Sequence, residues 1–236
     1  MLKTILALFL LLCSTFAALA DTGASSEDAT TAPKILAIGD SLMSWHTLTG
    51  LSIPNVVANE LEEPTANRSI GGARLLFKIP FIGDAGMQIS NQIVDGDWDW
   101  VIMNGGGNDL WFGCGCSACD KKMDKLITED GEAGEIPRVI DELREGGSKI
   151  LYFGYLRSPG VDSLIDECRE EGDELENRIS GYAKGKKDVH FMPLADMVPD
   201  GDLSFHGLDR IHPSVKASEE IGKRVAAFIR KHDKNR

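Results

Sequence analysis

Basic residues are scarce in this 236-residue chain: 25 Lys and Arg stand against 37 Asp and Glu, for a net charge of −12. That acid excess argues against a nucleic-acid or anionic-membrane partner, since either calls for a basic patch. Apolar runs are short. The run over residues 5–12 cannot cross a bilayer core, so no stable membrane anchor is expected. Internal repeats, long linkers and heptads are absent, which leaves solenoids and coiled coils without support. Histidine occurs five times, so imidazole chemistry has few candidates.

What is present fits one domain with an ordinary core, at 42% hydrophobic residues. The first twenty residues stand apart. Lys3 gives a basic start, residues 5–12 an apolar stretch, and Ala18-Leu19-Ala20 a small-x-small cleavage site. Residues 1–20 therefore read as a cleaved signal peptide of a secreted or periplasmic protein. Residues 21–33, rich in Ser, Thr, Ala and Asp, read as a flexible leader, and 34–236 as the domain. Cleavage removes one lysine and no acid, which brings the charge to −13.

After cleavage four cysteines remain, Cys114, Cys116, Cys119 and Cys168. An even number in an exported chain predicts two disulfides. A four-thiolate zinc site is the alternative, because Cys-x-Cys-x-x-Cys with a distant fourth Cys is near ligand spacing. Oxidation outside the cytosol competes with metal loading, so no metal and no other cofactor is expected.

The pattern alternates. Apolar runs at 34–38, 98–103, 149–155 and 189–193, with a shorter one at 66–70, predict strands. Helical spacing appears at 55–62, 137–144, 173–182 and 214–231, the last preceded by Pro213 and ending on basic residues that suit the helix dipole. Such alternation implies a parallel sheet covered on both faces, with ligands beyond the carboxyl ends of the strands.

Those ends carry the chemistry. Ser41 follows the first strand and offers a hydroxyl, which needs a base to become a nucleophile. His212 is the candidate base, with Asp209 three residues earlier to orient one ring nitrogen. His206 competes, but no carboxylate precedes it by three. His46 is read as a solvent or rim residue, and His190 and His232 as structural. Acyl transfer also needs donors aimed at a developing oxyanion. The Ser41 N–H at a helix start, the Gly72 N–H and the Asn108 amide are the candidates. Asp40 and Asp109 read as hydrogen-bond acceptors that fix loops, and Trp98 and Trp100 as packing residues.

Four blocks together carry a resemblance: Gly39-Asp40-Ser41-Leu42, Asn67-Arg68-Ser69-Ile70-Gly71-Gly72, Gly106-Gly107-Asn108-Asp109 and Asp209-Arg210-Ile211-His212. In this order they resemble the signature of the SGNH hydrolases, the GDSL lipase and esterase family. The resemblance spans about residues 34–231. It implies a flavodoxin-like three-layer α/β/α fold with a parallel five-stranded sheet. It also implies Ser41 as nucleophile, His212 as base, Asp209 as its orienter, and Ser41, Gly72 and Asn108 as the oxyanion hole. The chain departs from the family at Met43-Ser44-Trp45, where small and polar residues are common. Spacing from Asn67 selects Gly72 over Gly71.

The expected activity is hydrolysis of carboxylic esters through an acyl-serine intermediate, on a small-molecule, lipid or carbohydrate ester. Trp111 and Phe112, directly after the third block, are candidate substrate contacts. As a pocket wall they fit medium-chain acyl esters, thioesters or lysophospholipids; packed inward, they leave a shallow site for acetyl groups on carbohydrate. An acyltransferase using the same site and a secreted binding protein on a hydrolase scaffold are the alternatives.

Overall fold

Successive residues along the central strands send their side chains to two different cores. In a computed structural model, which describes residues 32–79, 81–160 and 163–233, strands β1 (Ile35–Ile38) and β3 (Trp100–Met103) are buried on both faces. Leu36, Ile38, Val101 and Met103 join one cluster, and Ile35, Ala37, Trp100 and Ile102 the other. That is the period of two expected of strands covered on both sides. The expected signal segment and residues 21–31 of the leader lie outside the described residues.

With β2 (Thr65–Asn67), β4 (Lys149–Phe153) and β5 (Val189–Met192), these strands form a five-stranded sheet in the order β2-β1-β3-β4-β5, with every pairing parallel. Helices α2 (Ile53–Leu61) and α7 (Val215–His232) cover one face through Ile53, Val57, Ile221, Val225 and Ile229. Helices α3 (Gly107–Cys114), α4 (Asp120–Leu126), α5 (Glu135–Glu145) and α6 (Arg169–Lys184) cover the other, where Leu110, Met123, Val139 and Ile179 are packed. A four-residue helix, α1 (Ser41–Ser44), follows β1. This is the three-layer α/β/α arrangement. Its strand order reverses between β1 and β3, which makes the crevice beyond their carboxyl ends the natural ligand site.

The periodic segments match the expected elements to within a few residues. The start of α7 has its chemical reasons: the Ser214 side chain caps it, accepting from the Ala217 N–H at 3.2 Å, and Arg230, Lys231 and His232 close its last turn. Two differences concern the site. The expected strand at 66–70 is regular only over Thr65–Asn67, yet Arg68 N–H still donates to Ala37 O and Ile70 N–H to Gly39 O, so the segment tracks β1 while turning toward Gly71. Residues 107–114, to which the sequence pattern assigns no helix, form α3. It opens on Gly107 and contains Gly113, a composition of poor helix propensity. Burial of Asn108, Asp109 and Leu110 holds it in place.

Candidate active site

The hydroxyl of Ser41 is presented by a turn that few other residues could form. Gly39 has φ +153°, and a Cβ there would lie 1.9 Å from Asn104 Oδ1, so only glycine fits. Its peptide is clasped by buried Gln92, which accepts from the Gly39 N–H at 2.7 Å and donates to the Gly39 carbonyl at 2.9 Å. Asp40 then caps α1, accepting from the Leu42 N–H at 3.0 Å. The same carboxylate accepts from Asn104 Nδ2 at 2.7 Å and from the Tyr155 hydroxyl at 2.5 Å. Burial pushes the Asp40 carboxyl up, and the bonds from Tyr155, Asn104 and Leu42 oppose it. These hydrogen bonds are in keeping with a loop-fixing acceptor, and Asp40 also borders the cavity.

His212 is held by its neighbours in sequence and by a ring from α1's far end. Its Nδ1 lies 2.6 Å from Asp209 Oδ2, while Asp209 Oδ1 accepts from the backbone N–H groups of Ile211 and His212, both at 3.0 Å. Partial burial works against ionisation of Asp209, but the His212 ring and these N–H groups outweigh it and hold the carboxyl below its ordinary range. With Nδ1 engaged, Nε2 is the nitrogen left for chemistry. Trp45 stacks flat on the imidazole, with centroids 3.7 Å apart and planes 3° apart. Next to it, His46 Nε2 lies 3.1 Å from the Pro213 carbonyl oxygen and ties the Ser41 loop to the His212 loop. Among the described residues no hydrogen bond joins Ser41 Oγ to His212. His206 is buried and is not among the residues facing Ser41; burial lowers its pKa.

The donor candidates arrive from the second and third blocks. Gly72 takes φ +78°, and both it and Gly71 border the space in front of Ser41. Asn108 lies in the first turn of α3, where one amide proton goes to the Ala73 carbonyl at 3.1 Å. An amide nitrogen carries two protons, so one donor remains. Asp109 accepts from Leu75 N–H at 2.9 Å and Leu76 N–H at 2.8 Å, tying the chain just after the second block to the third. Burial pushes its carboxyl up to about 6 against those two bonds.

Ser41, Gly72, Asn108 and His212 line one cavity of about 370 Å³, within the ~300–1,000 Å³ of ordinary ligand pockets. Leu42, Leu110, Leu156 and Leu175 make much of it apolar. Trp111 and Phe112 both border it, stacked on each other at 4.5 Å; Trp111 also packs against the core, while Phe112 is exposed.

A family model described as "GDSL-like Lipase/Acylhydrolase family" matches residues 37–219, which is most of the chain and contains all four blocks. The chain belongs to the GDSL-like lipase/acylhydrolase family. This GDSL-like hydrolase matches no curated protein, but its fold recurs in solved structures. One is a family two carbohydrate esterase from Clostridium thermocellum in complex with cellohexaose, at 19% identity and a TM-score of 0.56, covering 84% of this chain and 64% of that one. Another is an acetyl xylan esterase, at 13% identity and a TM-score of 0.57, covering 83% and 98%. A third, provisionally described as an arylesterase from Agrobacterium tumefaciens, is 17% identical with a TM-score of 0.60, covering 85% and 99%. At these identities the likeness is one of fold.

In the GDSL-like domain the four cysteines are paired as Cys114–Cys119 and Cys116–Cys168. The second bond fastens the end of α3, which carries Trp111 and Phe112, to the start of α6, whose Arg169 and Leu175 also line the cavity. Several supporting residues had no signal strong enough to be singled out. Asn104 closes an apolar strand with a polar side chain, which was a clue. Gln92 and Tyr155 lie in stretches whose role depends on the tertiary fold alone.

Proposed function

We propose that this chain is an exported serine hydrolase that cleaves carboxylic esters of apolar acyl groups, thioesters and lysophospholipids included, through an acyl-serine intermediate. The observation that carries the reading is convergence: Ser41, Gly72, Asn108 and His212 come from four separate segments and border one apolar cavity. Membership of the family supplies the hydrolase class.

The chemistry follows from the contacts. Ser41 Oγ attacks the ester carbonyl carbon as its proton passes to His212 Nε2, with Asp209 on Nδ1 holding the ring and stabilising the imidazolium. The carbonyl oxygen gains negative charge, which the Ser41 and Gly72 N–H groups and the free Asn108 amide proton stabilise. The imidazolium protonates the leaving alkoxide. Water, deprotonated by the same imidazole, then releases the acid and restores Ser41. Catalytic contacts tighten when substrate binds, and the Ser41–His212 hydrogen bond is one that would form at that stage. Trp111 and Phe112 in the wall support medium-chain acyl groups over acetyl on carbohydrate. The sequence leader and the paired cysteines support export to an oxidising compartment.

The test is hydrolysis of p-nitrophenyl acetate, butyrate and octanoate by the protein and by Ser41→Ala. The reading expects kcat/KM to rise from acetate to octanoate and to fall at least ~10³-fold in the variant. Equal rates for both proteins would end the serine mechanism. A preference for acetate would end the acyl pocket.

A further inference from the structure

All the large apolar side chains that are exposed among the described residues sit at one end of the domain. Each lies on the chain that follows the carboxyl end of a strand, no further along than the second turn of the next helix of eight or more residues. Every strand contributes: Leu48 after β1, Phe81 after β2, Phe112 after β3, Leu164 after β4 and Leu208 after β5. Leu48 and Leu208 are as open as in an extended peptide, at 104% and 106%. In a parallel sheet the five carboxyl ends share one side, the side of Ser41, Asn108 and His212. The segment bearing Phe81 stays there because its base is pinned where Arg74 pairs with Gln88 and Leu75 bonds Asp109.

Single exposed apolar residues are ordinary on any surface. Their confinement to one end, with a contribution from each of five separate segments, marks an interaction surface. Two observations fix its extent. Phe112 and Trp45 belong both to the exposed set and to the cavity wall, so the exposed rim adjoins the cavity. Ser163 Oγ donates to the Arg210 carbonyl at 3.0 Å, which brings the segments of Leu164 and Leu208 together beside Ile165 and Ile211 of the cavity.

We propose that this end docks onto the uncharged or zwitterionic surface of a lipid aggregate and draws its ester from that surface into the cavity. An anionic surface is disfavoured by the acid excess of 37 against 25. A lone dissolved ester fills only the cavity, whereas an ester held at an interface arrives with a plane of apolar matter for Leu48, Leu164 and Leu208 to enter. The choice of occupant rests on the ester-hydrolase reading; the existence of the face does not.

Flotation of the Ser41→Ala protein with phosphatidylcholine vesicles tests docking without turnover. Binding is expected and should survive ~0.5 M salt, since it does not rest on charge. Adding Leu48→Ser, Leu164→Ser and Leu208→Ser should weaken it at least ~10-fold. With Ser41 intact, the same triple variant should keep its rate on dissolved p-nitrophenyl butyrate and lose most of its rate on emulsified tributyrin, its circular dichroism unchanged. Absence of flotation, flotation abolished by salt, or flotation unaffected by the three changes would overturn the proposal. So would a dimer in sedimentation that the triple variant disperses, which would assign the face to a second copy. A protein inactive on every ester that still floats would overturn the hydrolase reading and leave the face standing.

Discussion

Trp45 lies flat against His212, ring centroid to ring centroid at 3.7 Å, four residues beyond the serine that the imidazole would serve. Neither residue needs the other for burial, since Trp45 is 36% exposed. The contact therefore orients the ring that Asp209 holds at only one nitrogen. An aromatic stack of this kind contributes about 1 kcal/mol beyond area burial. Trp45→Ala should cut kcat/KM roughly fivefold, and Trp45→Phe should retain most of the rate. Steady-state kinetics on a soluble ester checks this. A rate increase in the alanine variant would show that the stack holds the imidazole off the serine.

The buried carboxyl of Asp109 gives stability a pH dependence with a definite sign. Its folded pKa, about 6, lies above the ordinary 3.8. The contribution is therefore fully present below pH ~4 and lost as pH rises through ~6, a deficit of about 3 kcal/mol at neutrality. Buried His206 acts oppositely: its lowered pKa makes its contribution present above pH ~6.5 and lost as pH falls. Comparison with Asp109→Asn isolates the first effect. The stability of the variant relative to the parent should rise by up to about 3 kcal/mol between pH 4 and 7 in urea unfolding. A flat difference would mean that Asp109 is ionised throughout.

Much of this was legible in the chain because parallel strands buried on both faces are plain apolar runs, and β1, β3, β4 and β5 each read as one. Ser41, Gly72, Asn108 and His212 were legible because they stand at the ends of such runs or in short spaced blocks. What was hidden depends on tertiary placement. Helix α3 opens and nearly closes on glycine and is held by burial, so local propensity argues against it. Gln92 and Tyr155 bond Gly39 and Asp40 from 53 and 115 residues away, and no local pattern encodes such a reach. Trp45 stood out only as a departure from the usual composition of its block, and its partner was not inferable.

The two disulfides should differ in both stability and function. Cys116–Cys168 closes a loop of 52 residues and Cys114–Cys119 one of 5. Chain entropy assigns them about 4 and 2 kcal/mol respectively. The paired change Cys116→Ser and Cys168→Ser should therefore lower the unfolding midpoint more than Cys114→Ser with Cys119→Ser. It also releases the Trp111–Phe112 wall from α6, so KM for octanoate should rise several-fold while KM for acetate stays nearly constant. Equal effects on both substrates would place the loss in general stability and not in the wall.

Tyr155 is the joint between the serine turn and the helix carrying Asn108. Its hydroxyl donates to Asp40 at 2.5 Å and accepts from the Gly107 N–H at 3.1 Å, one residue before Asn108. Tyr155→Phe keeps the ring and removes both bonds, leaving a carboxylate oxygen and a backbone N–H unpaired. Each such group costs about 1–3 kcal/mol when buried, so a loss of roughly 2–6 kcal/mol in unfolding free energy is expected. The functional effect has a distinct form. The serine turn and Asn108, the proposed oxyanion donor, would lose their shared reference point while the apolar cavity walls stay as they are. Turnover on p-nitrophenyl butyrate should fall at least tenfold with KM changed less than threefold, as for an interaction that matters chiefly in the transition state. A variant that loses stability but keeps kcat would restrict Tyr155 to a structural role, because the serine turn and α3 would then hold their positions without it.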